Sequence, residues 1–152
     1  MNDLDAIADL FQQIDNILEE RRERHDADGN AEERERVERQ QRLNEQACFV
    51  LAWGQLEADI DDACREVIRL GKEHEEWVHR RAWSLHDEEN LRLNLRDRLT
   101  LVLDRGSDVW QRTSELYRLR NQIAHGDLRH EGIDLSVVIE DFKGIQSSMA
   151  RE

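Results

Sequence analysis

The 152-residue chain contains no proline, the residue that most often ends or kinks a helix. Along nearly its whole length, apolar residues recur at intervals of three and four positions, which is the period of one face of an α-helix. The sequence therefore predicts an all-α fold, with residues 1–152 forming a single domain of about five helices.

The apolar pattern divides this domain into an N-terminal amphipathic helix over residues 1–24 and a bundle over residues 31–152. The turn "HDADGN" separates them. The bundle begins with a helix expected to end at Gly71, whose polar first half should project into solvent or meet a partner and whose apolar second half should be core. The later helical segments are expected at 72–85, 87–106 with Gly106 as a stop, 108–125 after a cap at Ser107 or Asp108, and 133–146.

Charge is abundant and unevenly distributed. The net charge of -13 argues against a protein that binds nucleic acid through its whole surface. Residues 91–130, however, carry eight arginines against five acids, a local net charge of +3 that leaves -16 for the rest of the chain. Such a segment could hold phosphate, although a solvated face of mixed charge is the commoner origin of this pattern.

The N-terminal stretch "MNDLDAIADL" is acidic where a signal peptide would be basic, and no apolar run reaches the roughly 20 residues needed to span a bilayer. We therefore expect a soluble, cytoplasmic protein without a membrane partner. Cys48 and Cys64 lie sixteen positions apart in one expected helix. That spacing separates them by about 24 Å, too far for a disulfide, so both are expected to be buried small hydrophobes.

The usual motifs for metal and nucleophilic catalysis are missing. "HEEWVH" resembles the zinc motif HExxH, but Val78 stands where the second histidine is needed. His74 and His79 would then point about 140° apart on a straight helix. No GxSxG, Walker or dinucleotide glycine pattern occurs, so we expect neither a metal nor a cofactor.

The stretch "LYRLRNQIAHGD", residues 116–127, gathers polar groups at a helix end. Asn121 and His125 are four positions apart and share one helix stripe, so the amide could orient the imidazole. Arg120 and His125 are five apart, and their directions diverge, but Gly126 frees the backbone there. Pairs such as Arg69 with His74 have the same spacing, so spacing alone does not single out the motif.

"RNQIAHG", a short loop and "GIDLSVVIEDF" resemble the signature of HEPN domains, small all-helical modules of prokaryotic toxin and antiviral systems. The resemblance implies a metal-independent endoribonuclease that cleaves RNA at a composite site in a homodimer, regulated by an antitoxin or a defence-system partner. It assigns catalysis to Arg120 and His125, with Asn121 in support. Candidate contacts to RNA phosphates are Arg118, Arg129 and His130.

One departure from the family pattern is Asp127. Many HEPN toxins have a tyrosine two places after the histidine, so control through that tyrosine is not expected here. The carboxylate could raise the pKa of His125 or repel RNA. Two alternatives remain open: a catalytically silent helical interaction or regulatory subunit, and an unrelated bundle in which the cations merely complement a helix dipole.

Overall fold

The computed structural model describes residues 3–129 and 132–149, and within these ranges it contains six helices and no strand. The all-α prediction is confirmed, with one helix more than the expected five. No helix in the described ranges is both long and apolar enough to cross a membrane. The helices are α1 Asp3–Ala27, α2 Ala31–Glu73, α3 Trp77–Trp83, α4 Leu95–Val102, α5 Asp108–Ala124 and α6 Leu135–Ser148.

The chain forms two compact units. The first comprises Met1–Gln55 and Leu119–Asp141, and the second comprises Leu56–Arg118 and Phe142–Glu152. The boundaries between the units fall inside α2, α5 and α6, so no separate linker segment divides the chain.

In the first unit, α1 and the first half of α2 form an antiparallel hairpin. Gly29, at φ 67°, ends α1, and the Asn30 side chain accepts a hydrogen bond of 3.3 Å from the Glu33 N–H at the start of α2. The Gln41 amide donates to Asp15 and Glu19 of α1 over 3.3 and 3.0 Å. The polar half of α2 therefore packs along α1, which corrects the expectation that it projects into solvent.

The buried face of this first unit follows the apolar spacing of its helices. Its buried hydrophobic residues are Leu4, Ile7, Leu18, Val37, Cys48, Phe49, Ala52, Trp53, Ile123, Ile133, Leu135, Val138 and Ile139. In the N-terminal seam predicted from spacing, Ile14 is the exception. It remains 36% exposed.

The second unit is built around the second half of α2, as the sequence predicted. Leu56, Ile60 and Ile68 are fully buried, and Cys64 is a free, fully buried thiol. Arg98 of α4 lies 15% exposed between two α2 carboxylates, pairing with Glu57 at 3.3 Å and more closely with Asp61. An ion pair this sheltered needs both partners, since removing one would leave a charge in a poorly hydrated place.

Gly71 does not end α2, contrary to the prediction. The helix continues to Glu73, and Gly71 is not among the glycines with positive φ in the described chain. Its role is close packing: a Cβ added there would lie 2.3 Å from the Trp83 indole. The glycine allows α2 and α3 to approach each other.

The segments between α2 and α5 are less helical than predicted. Helix α3 covers only Trp77–Trp83 of the expected 72–85, and α4 only Leu95–Val102 of the expected 87–106. Asn94 caps α4 by accepting a 3.0 Å hydrogen bond from the Asp97 N–H. The sequence pattern of residues 87–94 thus precedes a helix and does not form one.

Candidate functional site at the end of α5

Helix α5 carries the motif, and its first turn is capped as predicted: the Ser107 hydroxyl accepts a 3.2 Å hydrogen bond from the Trp110 N–H. Trp110, Leu116 and Ile123 face inward and are 8%, 2% and 6% exposed. The helical period therefore leaves Arg120 and Asn121 half-buried beside these core positions, while His125 is exposed at the helix end.

The backbone closes this end of α5 with two hydrogen bonds. Gly126 N–H donates to Ile123 O at 2.9 Å, and Asp127 N–H donates to Gln122 O at 3.0 Å. This is the Schellman arrangement, and it requires the left-handed conformation that Gly126 adopts at φ 89°. His125 is thus the last residue before a sharp change of chain direction, and its imidazole stands at the corner.

The Arg120 guanidinium is only partly satisfied. Its Nη1 donates to Asn121 Oδ1 over 3.1 Å, whereas its Nε is buried and has no hydrogen-bond partner in the described chain. A buried donor without a partner costs on the order of 1–3 kcal/mol. An anion accepting from this N–H would recover that cost, which makes Arg120 a natural place for a phosphate oxygen.

His125 and Asn121 do not interact through their side chains. The His125 backbone N–H donates to Asn121 O at 3.0 Å, but the Asn121 amide oxygen is occupied by Arg120. The described residues give the imidazole no hydrogen bond or ion pair. The hypothesis that Asn121 orients His125 is therefore replaced by one in which Asn121 holds Arg120.

One copy of α5 does not bring the two motif side chains together. They are five positions apart, and at 3.6 residues per turn this places their directions about 140° apart around the helix. The side chain of Arg120 lies half-buried along the helix, while that of His125 leaves the helix end toward solvent. A phosphodiester contacting both groups needs a second surface.

Asp127 has a partner that the sequence did not reveal. Its Oδ1 accepts a 3.0 Å hydrogen bond from Arg129 Nε, and this bond, together with the carboxylate charge, raises the pKa of the Arg129 guanidinium. The negative charge expected to oppose RNA is thus partly neutralised two residues away. Arg129 itself remains open to solvent, with 91% of its side chain exposed.

The loop after the motif is tied to α2 by a residue that sequence reasoning missed. Gln46, 2% exposed, donates from Nε2 to Leu128 O over 3.2 Å. A buried amide bonded to a loop carbonyl fixes the loop position, because breaking the bond would leave a buried polar group unsatisfied. The only sequence signal was a glutamine at the border between the polar and apolar halves of α2.

Between this loop and α2 lies a cavity of about 520 Å³, which we call the arginine groove. All of its lining residues belong to the first unit. The α2 residues were missed because the polar half of that helix was treated as undifferentiated. Their spacing of three and four positions, which places them on one face, was the available signal. The lining residues are Arg39, Arg42, Leu43, Gly126, Leu128 and Arg129.

The other predicted site residues divide into two cases. Arg118 is exposed on α5 and belongs to the second unit, and no structural observation adds to its proposed phosphate contact. His130, the remaining predicted phosphate contact, lies outside the described residues.

The histidines of "HEEWVH" are closer together than predicted. His74 precedes α3, so the straight-helix geometry does not apply, and its ring centroid is 4.7 Å from that of His79. Within the described ranges, however, no group of three or more histidine, cysteine, aspartate or glutamate side chains is arranged to hold a metal ion. A histidine pair without a third ligand does not make a protein metal centre.

No protein-family model matches the sequence, and neither the curated proteins nor the solved structures contain a significant match.

Proposed function

We propose that this protein is a HEPN-like, metal-independent endoribonuclease of a toxin or antiviral defence system. The observation that carries the proposal is the state of two groups at one helix end: an exposed imidazole without a partner and a half-buried guanidinium with an unsatisfied N–H. His125 and Arg120 are thus both available to a substrate. The resemblance of "RNQIAHG" to the HEPN motif agrees with this assignment.

The proposed chemistry needs only these two side chains and the RNA. The neutral His125 imidazole accepts the proton of a ribose 2′-hydroxyl, and the resulting oxygen attacks the adjacent phosphorus. Arg120 donates to the phosphate oxygens and stabilises the extra negative charge of the pentacovalent transition state. A protonated imidazole returns a proton to the departing 5′-oxygen, leaving a 2′,3′-cyclic phosphate and a 5′-hydroxyl.

A homodimer follows from the divergence of the two side chains on α5. In a twofold dimer, Arg120 of one subunit can face His125 of its partner across a shared cleft, and symmetry generates two such pairs. Asn121 then serves as a positioning residue, because its amide oxygen fixes the guanidinium before RNA arrives.

The direct test is cleavage of a labelled single-stranded RNA in the presence of EDTA. We expect wild-type protein to cleave and the Arg120→Ala and His125→Ala variants to lose activity. Each loss should be on the order of a hundredfold or more, as for removal of a general base or a transition-state donor. Arg24→Ala and His25→Ala, at the end of α1, are matched controls that should retain wild-type activity.

Mixing the two inactive variants distinguishes a composite site from one that acts within a single chain. If subunits exchange, half of the dimers contain one intact Arg120–His125 pair, so activity should return to about a quarter of the wild-type value. No recovery after verified subunit exchange would contradict a site shared between subunits. Full activity of either variant alone would contradict the proposed chemistry.

A second candidate function is a catalytically silent interaction module. A stripe on α1 favours it: Leu10, Ile14 and Ile17 are 47%, 36% and 60% exposed and lie at helical spacing on one face. Under this alternative, wild-type protein leaves RNA intact. Any growth toxicity on expression would then be unchanged by Arg120→Ala and abolished by Ile17→Glu, the reverse of the pattern expected for the ribonuclease.

A further inference from the structure

The arginine groove brings three guanidinium groups from two separate parts of the first unit to one cavity. Arg39 and Arg42 come from α2, and Arg129 comes from the loop after α5. In a chain with a net charge of -13, three arginines around one cavity form a local concentration of positive charge.

The two α2 arginines are not committed to internal partners. Neither Arg39 nor Arg42 makes a hydrogen bond or an ion pair with another residue in the described ranges, in contrast to Arg36 on the same helix, which pairs with Glu33 at 3.7 Å. Arg129 shares its charge with Asp127 but is 91% exposed and has donors to spare. The groove therefore offers N–H donors that water alone now satisfies.

The acidic group nearest to these arginines in sequence is Glu45, whose pKa is affected by Arg42. Burial, and then the charge of Asp15, raise the pKa of Glu45, while Arg42 lowers it. The carboxyl group next to the groove is thus held in surroundings that disfavour its charged form. This reduces its competition with an incoming anion for Arg42.

The groove also has an apolar part. Leu43 is 39% exposed and Leu128 47% exposed, and both line the cavity with the arginines. Apolar side chains next to phosphate-binding cations suit a ligand that alternates charged and planar apolar groups, as a nucleotide chain does. A cavity of about 520 Å³ is of small-ligand size and cannot enclose a double helix.

We infer that the arginine groove binds the nucleotides of a single-stranded RNA that flank the cleavage site. Arg39 and Arg42 contact phosphates, and Leu43 and Leu128 lie against a base. The choice of RNA as the ligand rests on the proposed ribonuclease function, whereas the anion-binding groove rests on the geometry. Gly126 lines the groove and directly follows His125, so a strand bound there continues toward the imidazole.

The experiment measures binding separately from cleavage. A fluorescent single-stranded RNA with 2′-O-methyl riboses lacks the attacking hydroxyl, so its anisotropy reports binding whether or not the protein is an active nuclease. We expect Arg39→Ala/Arg42→Ala to weaken binding by about tenfold or more, since a hydrogen bond to a charged group commonly contributes a factor of this size. The log–log salt dependence should also fall by about 1.4, or about 0.7 per phosphate contact on a single strand.

Two further variants make the test specific. Arg36→Ala removes an arginine from the same helix that is outside the groove and already paired, and it should bind RNA as the wild type does. Arg39→Lys/Arg42→Lys keeps both positive charges and should retain most of the salt dependence. Circular dichroism checks that each variant is folded.

The outcomes separate this inference from the proposed function. Groove-dependent binding of the modified RNA, without cleavage of ordinary RNA, would support the groove and overturn the ribonuclease. Cleavage with binding that the Arg39→Ala/Arg42→Ala variant leaves unchanged would overturn the groove and leave the ribonuclease standing. Equal weakening by Arg36→Ala, no binding by the wild type, or displacement of RNA by an equimolar acidic peptide would each overturn the groove.

Discussion

Replacing Gly126 by alanine should destabilise the protein, although nothing blocks the added methyl group. A Cβ at Gly126 would meet no atom within 4 Å, so any effect comes from the backbone. At φ 89° the residue is in the left-handed region, where an L-residue costs about 1–2 kcal/mol. The loss of freedom in the unfolded chain returns about 0.4–1 kcal/mol, leaving a net destabilisation of about 1 kcal/mol.

Gly54 provides the matched control because it differs only in conformation. It is exposed in the interior of α2, has no positive φ, and likewise leaves open space around an added Cβ. Gly54→Ala should therefore stabilise the protein by about 1 kcal/mol, the difference in helix propensity between the two residues. The same chemical change is thus expected to have opposite signs at Gly126 and Gly54.

The assay is urea and thermal unfolding followed by both circular dichroism and tryptophan fluorescence, so that coincidence of the probes tests a single transition. The expected difference between the two variants is about 2 kcal/mol, or about 6 °C in Tm for a chain of this length. Gly126→Asn should recover part of the loss, because asparagine tolerates the left-handed region better than alanine. Equal stabilisation by Gly126→Ala and Gly54→Ala would refute the role assigned to the turn after His125.

Three other predictions concern the second unit. Gly71→Ala should cost more than Gly126→Ala, because its methyl group would lie 2.3 Å from the Trp83 indole, and unfolding curves of the two variants compare them directly. Arg98→Ala should lower the free energy of unfolding by about 2–3 kcal/mol by leaving two sheltered carboxylates unpaired, and a loss below 0.5 kcal/mol in urea would argue against a supporting role for that pair. Burial raises the pKa of the Cys64 thiol from 9.0 to about 11, so the folded state holds its proton more tightly and its contribution to stability should be lost as the pH rises from 9.0 toward 11; the Cys64→Ala variant should lack this part of the decline.

Much of the helical architecture could be predicted because it depends on local properties. The absence of proline, the period of the apolar residues and the cap at Ser107 act within one or two turns, and the structure reproduces each. The end of α5 at Gly126 was likewise predictable, because a glycine after a helical pattern is the usual solution for the last carbonyl groups.

The wrong expectations came from contacts between elements. Gly71 was predicted to end a helix, as an isolated glycine often does, but its purpose is to admit the Trp83 indole from another helix. The polar half of α2 was predicted to project into solvent because its residues are hydrophilic, yet Gln41 binds carboxylates of α1. Neither partner can be identified from sequence spacing alone.

The sequence by itself determined the chemistry of the candidate site, because Arg120, Asn121 and His125 lie within six positions of one helix end. Only the tertiary structure decided which groups remain available to a ligand. It directed the Asn121 amide to Arg120, gave Asp127 to Arg129, and placed Arg39 and Arg42 beside the loop that follows the motif. The physical reason is that a side chain's identity is local, whereas its hydrogen-bond partner and its exposure depend on how distant segments pack.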